Sequence, residues 1–317
     1  MRKALVVGID YYEHSSDLYG CVNDAHNIKA VLERNGDGTK NFDVMLLTGT
    51  GPKQAVARRD LRQSIVDLFA SENEIALLYF AGHGFVDQVG GYLITSDTED
   101  GDDGVSLNEI IQIANDSKTQ NRLVVLDSCH SGIAGNRNVN DAHVTLNSGV
   151  TILTASSQSQ YAMEKNGSGL FTTLFVDALN GGAANLMGFI TPGAVYAHID
   201  QSLGAWDQRP LFKTNVTSFN SLREVAAPID LGILKKICQY FPNPSEDHQL
   251  DPDYEPDSPS PDPVKTEMLA DLQEMVKVNL VRPIGEKHMY FAAMKSKSCG
   301  LTLLGEHYWK LVANDVI

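Results

Sequence analysis

With 317 residues, 43% of them hydrophobic, the chain is long enough to bury a sizeable α/β core and to carry something appended to it. A formal net charge of −15 disfavours nonspecific binding to nucleic acid or anionic membrane and favours a basic ligand or substrate. Cys21, Cys129, Cys238 and Cys299 stand far apart without C-x-x-C spacing, which argues against a disulfide framework and against a zinc ribbon.

The start, MRKALVVGIDYYE, has a basic pair but too few apolar residues for a signal peptide, and no later stretch approaches a membrane span. A cytoplasmic protein with no membrane partner is therefore expected. KALVVGID reads as a first strand, VNDAHNIKAVLERNG as a helix closed by Gly36, FDVMLLTG as a second strand and residues 53–70 as a second helix. EIALLYFAGHG and RLVVLDSCHSG are near-continuous apolar runs that each end in a small polar cluster. Strands buried on both faces have this composition, so the sheet is expected to be mostly parallel, with helices on each side. In such sheets ligands bind beyond the carboxyl ends of the strands, where GHG and DSCHSG fall.

Farther on, GVTILTASS reads as a strand, GLFTTLFVDAL as a helix and residues 191–203 as a helix opened by Thr-Pro. Residues 242–263 hold seven acids and no Lys or Arg among many prolines, and read as a linker unable to bury enough surface to order itself. The expected organisation is a main domain over 1–225, a connecting helix over 226–241, the acidic linker over 242–263 and a small module over 264–317. That module reads as a helix near 264–281, a hairpin-like KHMYFAAM and the apolar GLTLLGEHYWKLV, a winged-helix-like pattern. It has no concentrated basic patch, so docking of a regulatory protein fits it better than DNA.

A cysteine attacks a carbonyl well only as thiolate, and so needs a neighbouring base and donors for the oxyanion. His83, between Gly82 and Gly84, ends one apolar strand; Cys129 ends another, 46 residues later. Either residue alone is ordinarily a buried thiol or a satisfied histidine, but the pair in matching turns is a catalytic constellation. A carboxylate two residues before a nucleophile, as Asp127 is, suits a guanidinium substrate and repels an acidic one. The alternative for Asp127 is a loop cap, and for Asp24 an acid favoured at a helix N-terminus. A zinc site of Cys21, His83, Cys129 and His130 lacks a short chelating pair beyond the adjacent Cys129 and His130.

YFAGHG and LDSCHSG, with the earlier GCVNDA and the later TASSQSQYAMEKNGSGLFT, resemble the caspase-like cysteine proteases, in their metacaspase and prokaryotic caspase-homologue branch. The resemblance covers about residues 1–225. It implies a caspase-hemoglobinase fold, a dyad with Cys129 as nucleophile and His83 as base and acid, and the amides of Gly84 and Cys129 as oxyanion donors. It further implies an acidic pocket of Asp24, Asp127 and Cys21 for Arg, and secondarily Lys, before the scissile bond. Ala81 stands where metacaspases commonly have a serine, and Leu107-Asn108 where a paired Asp-Asp serves calcium, so no calcium or other cofactor is expected. Arg137, the one basic residue of the Asn- and Gly-rich loop after Cys129, is the expected processing site, with Lys165 next; another protease could also activate the chain. Stress or defence roles are implied by the resemblance alone, and a catalytically silent scaffold is the alternative.

Overall fold

The computed structural model describes residues 1–317 apart from 89, 129–144, 156–163, 166–167, 205–208 and 219. The chain divides into two units: Met1–Ala184 with Gly188–Ala226, and Asn185–Met187 with Ala227–Ile317.

In the first unit, β1 (Arg2–Ile9), α1 (Cys21–Glu33), β2 (Asp43–Gly49), α2 (Arg58–Ala70) and β3 (Ile75–Gly82) alternate as expected. A small antiparallel sheet of β4 (Gly84–Val86), β5 (Gly91–Leu93) and β6 (Val105–Ser106) follows, then α3 (Leu107–Asp116), β7 (Asn121–Ser128) and β8 (Val150–Thr154). The unit is completed by α4 (Leu170–Asp177), α5 (Pro192–Ser202) and β9 (Leu211–Asn215). The central sheet runs β9-β8-β7-β3-β1-β2, parallel throughout except for β9, which pairs antiparallel with β8.

Every residue of β3 is buried, and its side chains alternate between two cores. Ala76, Leu78 and Phe80 pack with Leu61 and Ile65 of α2 and Ile110 of α3. Leu77, Tyr79 and Ala81 pack on the other face with Ala25 and Ile28 of α1, Phe171 and Phe175 of α4 and Val195 of α5. That two-sided burial, at about 1.5–3 kcal/mol for each large apolar side chain, is why the strand reads as an unbroken apolar run. The helix expected from residue 53 begins at Arg58, because Pro52–Gln54 form a separate turn and Val56 enters the core.

The second unit departs further from expectation. Residues 242–263 are an integral part of its core rather than a linker. Leu250 and Tyr254 are buried there beside Leu272, Met275 and Cys299, and His248–Gln249 pairs antiparallel with Ser298–Leu301. The acids do structural work: the Asp262 side chain caps the helix Pro263–Lys277, and Asp251 pairs with Lys265. Residues 229–241 share this core through Ile229, Leu234, Ile237 and Phe241, so the unit begins well before residue 264. The expected hairpin at KHMYFAAM is a helix, Met289–Met294, which buries Met289, Ala292 and Ala293 on one face. No helix among the described residues is long and apolar enough to cross a membrane.

Candidate active site

Parallel pairing of β3 with β7 sets Ala81 beside Asp127 and Gly82 beside Ser128. The residue after Gly82 is His83; the residue after Ser128 is Cys129, which lies outside the described residues, as do His130 and Arg137. The His83 backbone N–H donates to the Tyr12 hydroxyl at 2.8 Å, and that hydroxyl donates to the Ile9 carbonyl at 3.1 Å. Glycine is required at 82, since a Cβ there would lie 2.6 Å from the Tyr12 oxygen. The Tyr12 ring flanks the imidazole, with centroids 4.6 Å apart.

His83 Nε2 lies 2.8 Å from the carbonyl oxygen of Ser16. A carbonyl can only accept, so Nε2 carries the proton and Nδ1 is the basic nitrogen of the neutral ring. Beyond the ring, Ile94 N donates to the His83 carbonyl at 3.0 Å, and Gly84 is registered with Leu93. Opposed residues of an antiparallel pair alternate between bonded and non-bonded positions, so the Gly84 N–H points away from β5.

The acidic residues converge on the α1–α4 side of the sheet. Asp24, in the first turn of α1, is 3% exposed, and Asp127, the penultimate residue of β7, is 7% exposed. Gly169 N donates to Asp24 Oδ2 at 2.8 Å, and a Cβ on Gly169 would meet Asp127 Oδ2 at 2.5 Å and Asp24 Oδ2 at 3.2 Å. Both carboxylates therefore crowd one bare stretch of backbone. Thr172 donates its hydroxyl to Asp127 Oδ2 at 2.6 Å, and its one proton thus spent, it accepts from Tyr79 at 2.5 Å. Burial pushes the Tyr79 hydroxyl well above its usual pKa of 10.0, with Asp127, Asp24 and Cys21 adding to the shift in that order. Tyr79 is accordingly a proton donor at any ordinary pH. Cys21 is buried on the same face, and its N–H, with that of Val22, donates to Asp10 Oδ1 at 2.9 and 3.3 Å, anchoring the start of α1.

The structure thus brings together Asp24, Asp127 and Cys21, and places His83 and Gly84 at the adjoining strand end. Two buried carboxylates crowded together repel one another, and a guanidinium between them could bond both. Ala81, beside Asp127 in the ladder, offers no hydroxyl to this pocket. Sequence reasoning missed Asp10, Tyr12, Tyr79, Thr172 and the Ser16 carbonyl. The signals available were the polar end of β1 in GIDYY and the two glycines before the helix in GSGLFTT.

The caspase domain family matches residues 1–219. Metacaspase-1A of Neurospora crassa is 31% identical over 155 residues, covering 41% of this chain and 32% of that protein. Metacaspase-1 of Saccharomyces cerevisiae is 34% identical over 159 residues, covering 41% and 33%. The chain thus spans about a third of the length of these relatives. Among solved structures, caspase-1 of Spodoptera frugiperda superposes with a TM-score of 0.52 at 12% identity, over 71% of this chain and 90% of that one. A Geobacter sulfurreducens protein gives 0.53 at 17%, over 71% and 100%. The central sheet and its flanking helices are those of the caspase-hemoglobinase fold.

Proposed function

Because the chain belongs to the caspase domain family, we propose that it is a cysteine endopeptidase that cleaves after arginine, and secondarily lysine, with Cys129 as nucleophile and His83 as base and acid. The observation that supports this reading is the pairing of Ala81-Gly82 with Asp127-Ser128, which sets side by side the carboxyl ends of the two strands that His83 and Cys129 directly follow in sequence.

In the proposed mechanism, His83 Nδ1 takes the proton of the Cys129 thiol while Nε2 stays bonded to Ser16. The thiolate adds to the scissile carbonyl carbon, and the N–H groups of Gly84 and Cys129 hold the oxyanion. Collapse breaks the C–N bond, and the leaving amine takes its proton from His83. Water, deprotonated by His83, then attacks the thioester; the peptide acid departs and the thiol is restored. Asp24 and Asp127, with Cys21 at their side, grip the guanidinium before the scissile bond.

We further assign processing to the bond after Arg137, with Lys165 next, and independence from calcium, since Leu107-Asn108 stand where the family's paired Asp-Asp would and the first turn of α3 holds the single carboxylate of Glu109. The second unit, acidic and without a basic cluster, is assigned to docking a regulatory protein, and a cytoplasmic stress or defence role fits a latent protease. The test is hydrolysis of fluorogenic peptides ending in Arg, Lys or Asp by wild type and Cys129→Ala, with chelator and with calcium. Arg-selective, chelator-resistant hydrolysis lost in Cys129→Ala supports the whole reading, whereas cleavage only after Asp overturns the pocket.

A further inference from the structure

A cleft of about 240 Å³ adjoins the catalytic histidine and is not used by the mechanism above. Its walls include His83, Gly84, Phe85, Ile94, Thr98 and Glu99. It lies on the opposite side of the sheet edge from the acidic pair. Ile94 and Leu93 belong to the core shared with α2 and α3, while Ala81, Cys21 and the residues packed beside Asp127 belong to the α1–α4 core. On the peptidase reading, a peptide held with its basic side chain at Asp24 and Asp127 and its scissile bond at His83 has this cleft beside that bond, on the side away from the acidic pair.

The chemistry of the cleft is specific. Phe85 is 39% exposed, and its ring lies against the backbone of Gly101, where any Cβ would come within 2.2 Å of it. The ring is thus a fixed flat wall. The segment leading into Glu99 is held in place. The Asp97 carboxylate accepts from Arg58 N and the Thr95 hydroxyl, and the buried Thr98 bonds Thr95 through its own hydroxyl. Glu99 itself is exposed at the cleft, Asp100, Asp102 and Asp103 follow it, and no Lys or Arg lines the walls. A cation over an aromatic face beside a carboxylate is the arrangement that best suits a guanidinium, whose plane stacks while its edge pairs. The volume fits one side chain rather than a larger ligand.

Resting on the peptidase reading, we propose that this cleft is the subsite for the residue or two after the scissile bond, and that it selects a basic side chain, arginine above lysine.

The test uses the full chain and two substrates. A peptide ending in Arg-aminocoumarin has no amino acid after the scissile bond and reads the peptidase alone. Internally quenched peptides with Arg before that bond and Arg, Lys, Ala or Glu after it read the cleft. Wild type is expected to favour Arg over Glu after the bond by about five- to tenfold in kcat/KM. Glu99→Gln should flatten that ratio, and Phe85→Ala should abolish the preference of Arg over Lys. Hydrolysis of the coumarin peptide with no preference after the bond, or with a preference for Glu, overturns the subsite and leaves the peptidase reading standing. Failure to hydrolyse the coumarin peptide, by the chain cut after Arg137 as well as by the intact chain, overturns the peptidase reading and the subsite with it.

Discussion

Replacing Asp127 by asparagine tests the acidic pair with the least structural disturbance. Asn has nearly the same volume and keeps an oxygen to accept from Thr172, so the Tyr79–Thr172 chain has its terminus and β7 its buried end. What is lost is one charge at a position 7% exposed. Removing one partner of a buried, hydrogen-bonded charge pair costs about 2–5 kcal/mol, which is about 30- to 5,000-fold in kcat/KM. Asp24 and Asp127 crowd the same point beside Gly169, so on the proposed specificity they share one cation, and Asp24→Asn with Asp127→Asn should fall short of additivity. The assay is initial-rate hydrolysis of fluorogenic peptides that differ only in the residue before the scissile bond: Arg, Lys, Gln or Leu. The loss should be confined to Arg and Lys. An equal loss on Leu and Gln peptides would refute the pocket and assign Asp127 to positioning the loop after β7. A loss on Arg below about threefold, the scale of an exposed ion pair, would refute it as well.

Gly169→Ala puts a methyl group 2.5 Å from Asp127 Oδ2, an overpacking worth about 1–3 kcal/mol; it should raise KM for Arg peptides more than it lowers kcat. Tyr12→Phe removes the acceptor of the His83 N–H and should cost about 1–3 kcal/mol, read as a lower Tm together with a fall in kcat at nearly constant KM. Glu255 is 6% exposed, and burial, then Asp257, hold its carboxyl above the ordinary 4.5. Its protonated form is thus the one the fold favours, and its contribution to stability is lost as pH rises through the raised pKa. Glu255→Gln should therefore raise Tm at pH 7, with the gap closing as pH falls through the raised pKa toward 4.5; a gap that widens in acid would reverse the sign.

The sheet was legible because burial on both faces writes itself into composition: β3 is apolar throughout and β7 is apolar from Leu123 to Leu126, and the polar residues that follow these runs mark the candidate site. His83 and Asp127 could be found for the same reason, as polar residues at the mouths of apolar strands. Backbone groups could not. The Ser16 carbonyl that orients His83 has no side-chain signature, and Gly169 matters for what it lacks rather than what it carries. Residues 242–263 misled because composition averages over a segment, whereas two apolar anchors, Leu250 and Tyr254, together with acids placed as a cap and an ion pair, suffice to fix it against a neighbouring core. Likewise KHMYFAAM holds strand-forming aromatics, but Met289, Ala292 and Ala293 lie three and four apart, the helical spacing that burial selected.

On the specificity proposed above, an enzyme that favours basic residues on both sides of the scissile bond must protect its own. The chain has three consecutive basic pairs: Arg2-Lys3, Arg58-Arg59 and Lys235-Lys236. The first lies in β1, the second opens α2, and the third closes the helix Leu231–Lys235. A protease takes its substrate extended, so each of these bonds would need local unfolding before it could be cut. Arg137 is followed by Asn138, which offers the cleft no charge. Self-processing there should accordingly be slow, limited by the residue after the bond rather than by the acidic pocket. Asn138→Arg should accelerate it about five- to tenfold, measured as the appearance of two fragments over time in purified full-length protein. The gain should disappear when Glu99→Gln is combined with it. Acceleration that persists in the double variant would assign the effect to the loop itself and separate processing from the cleft beside His83.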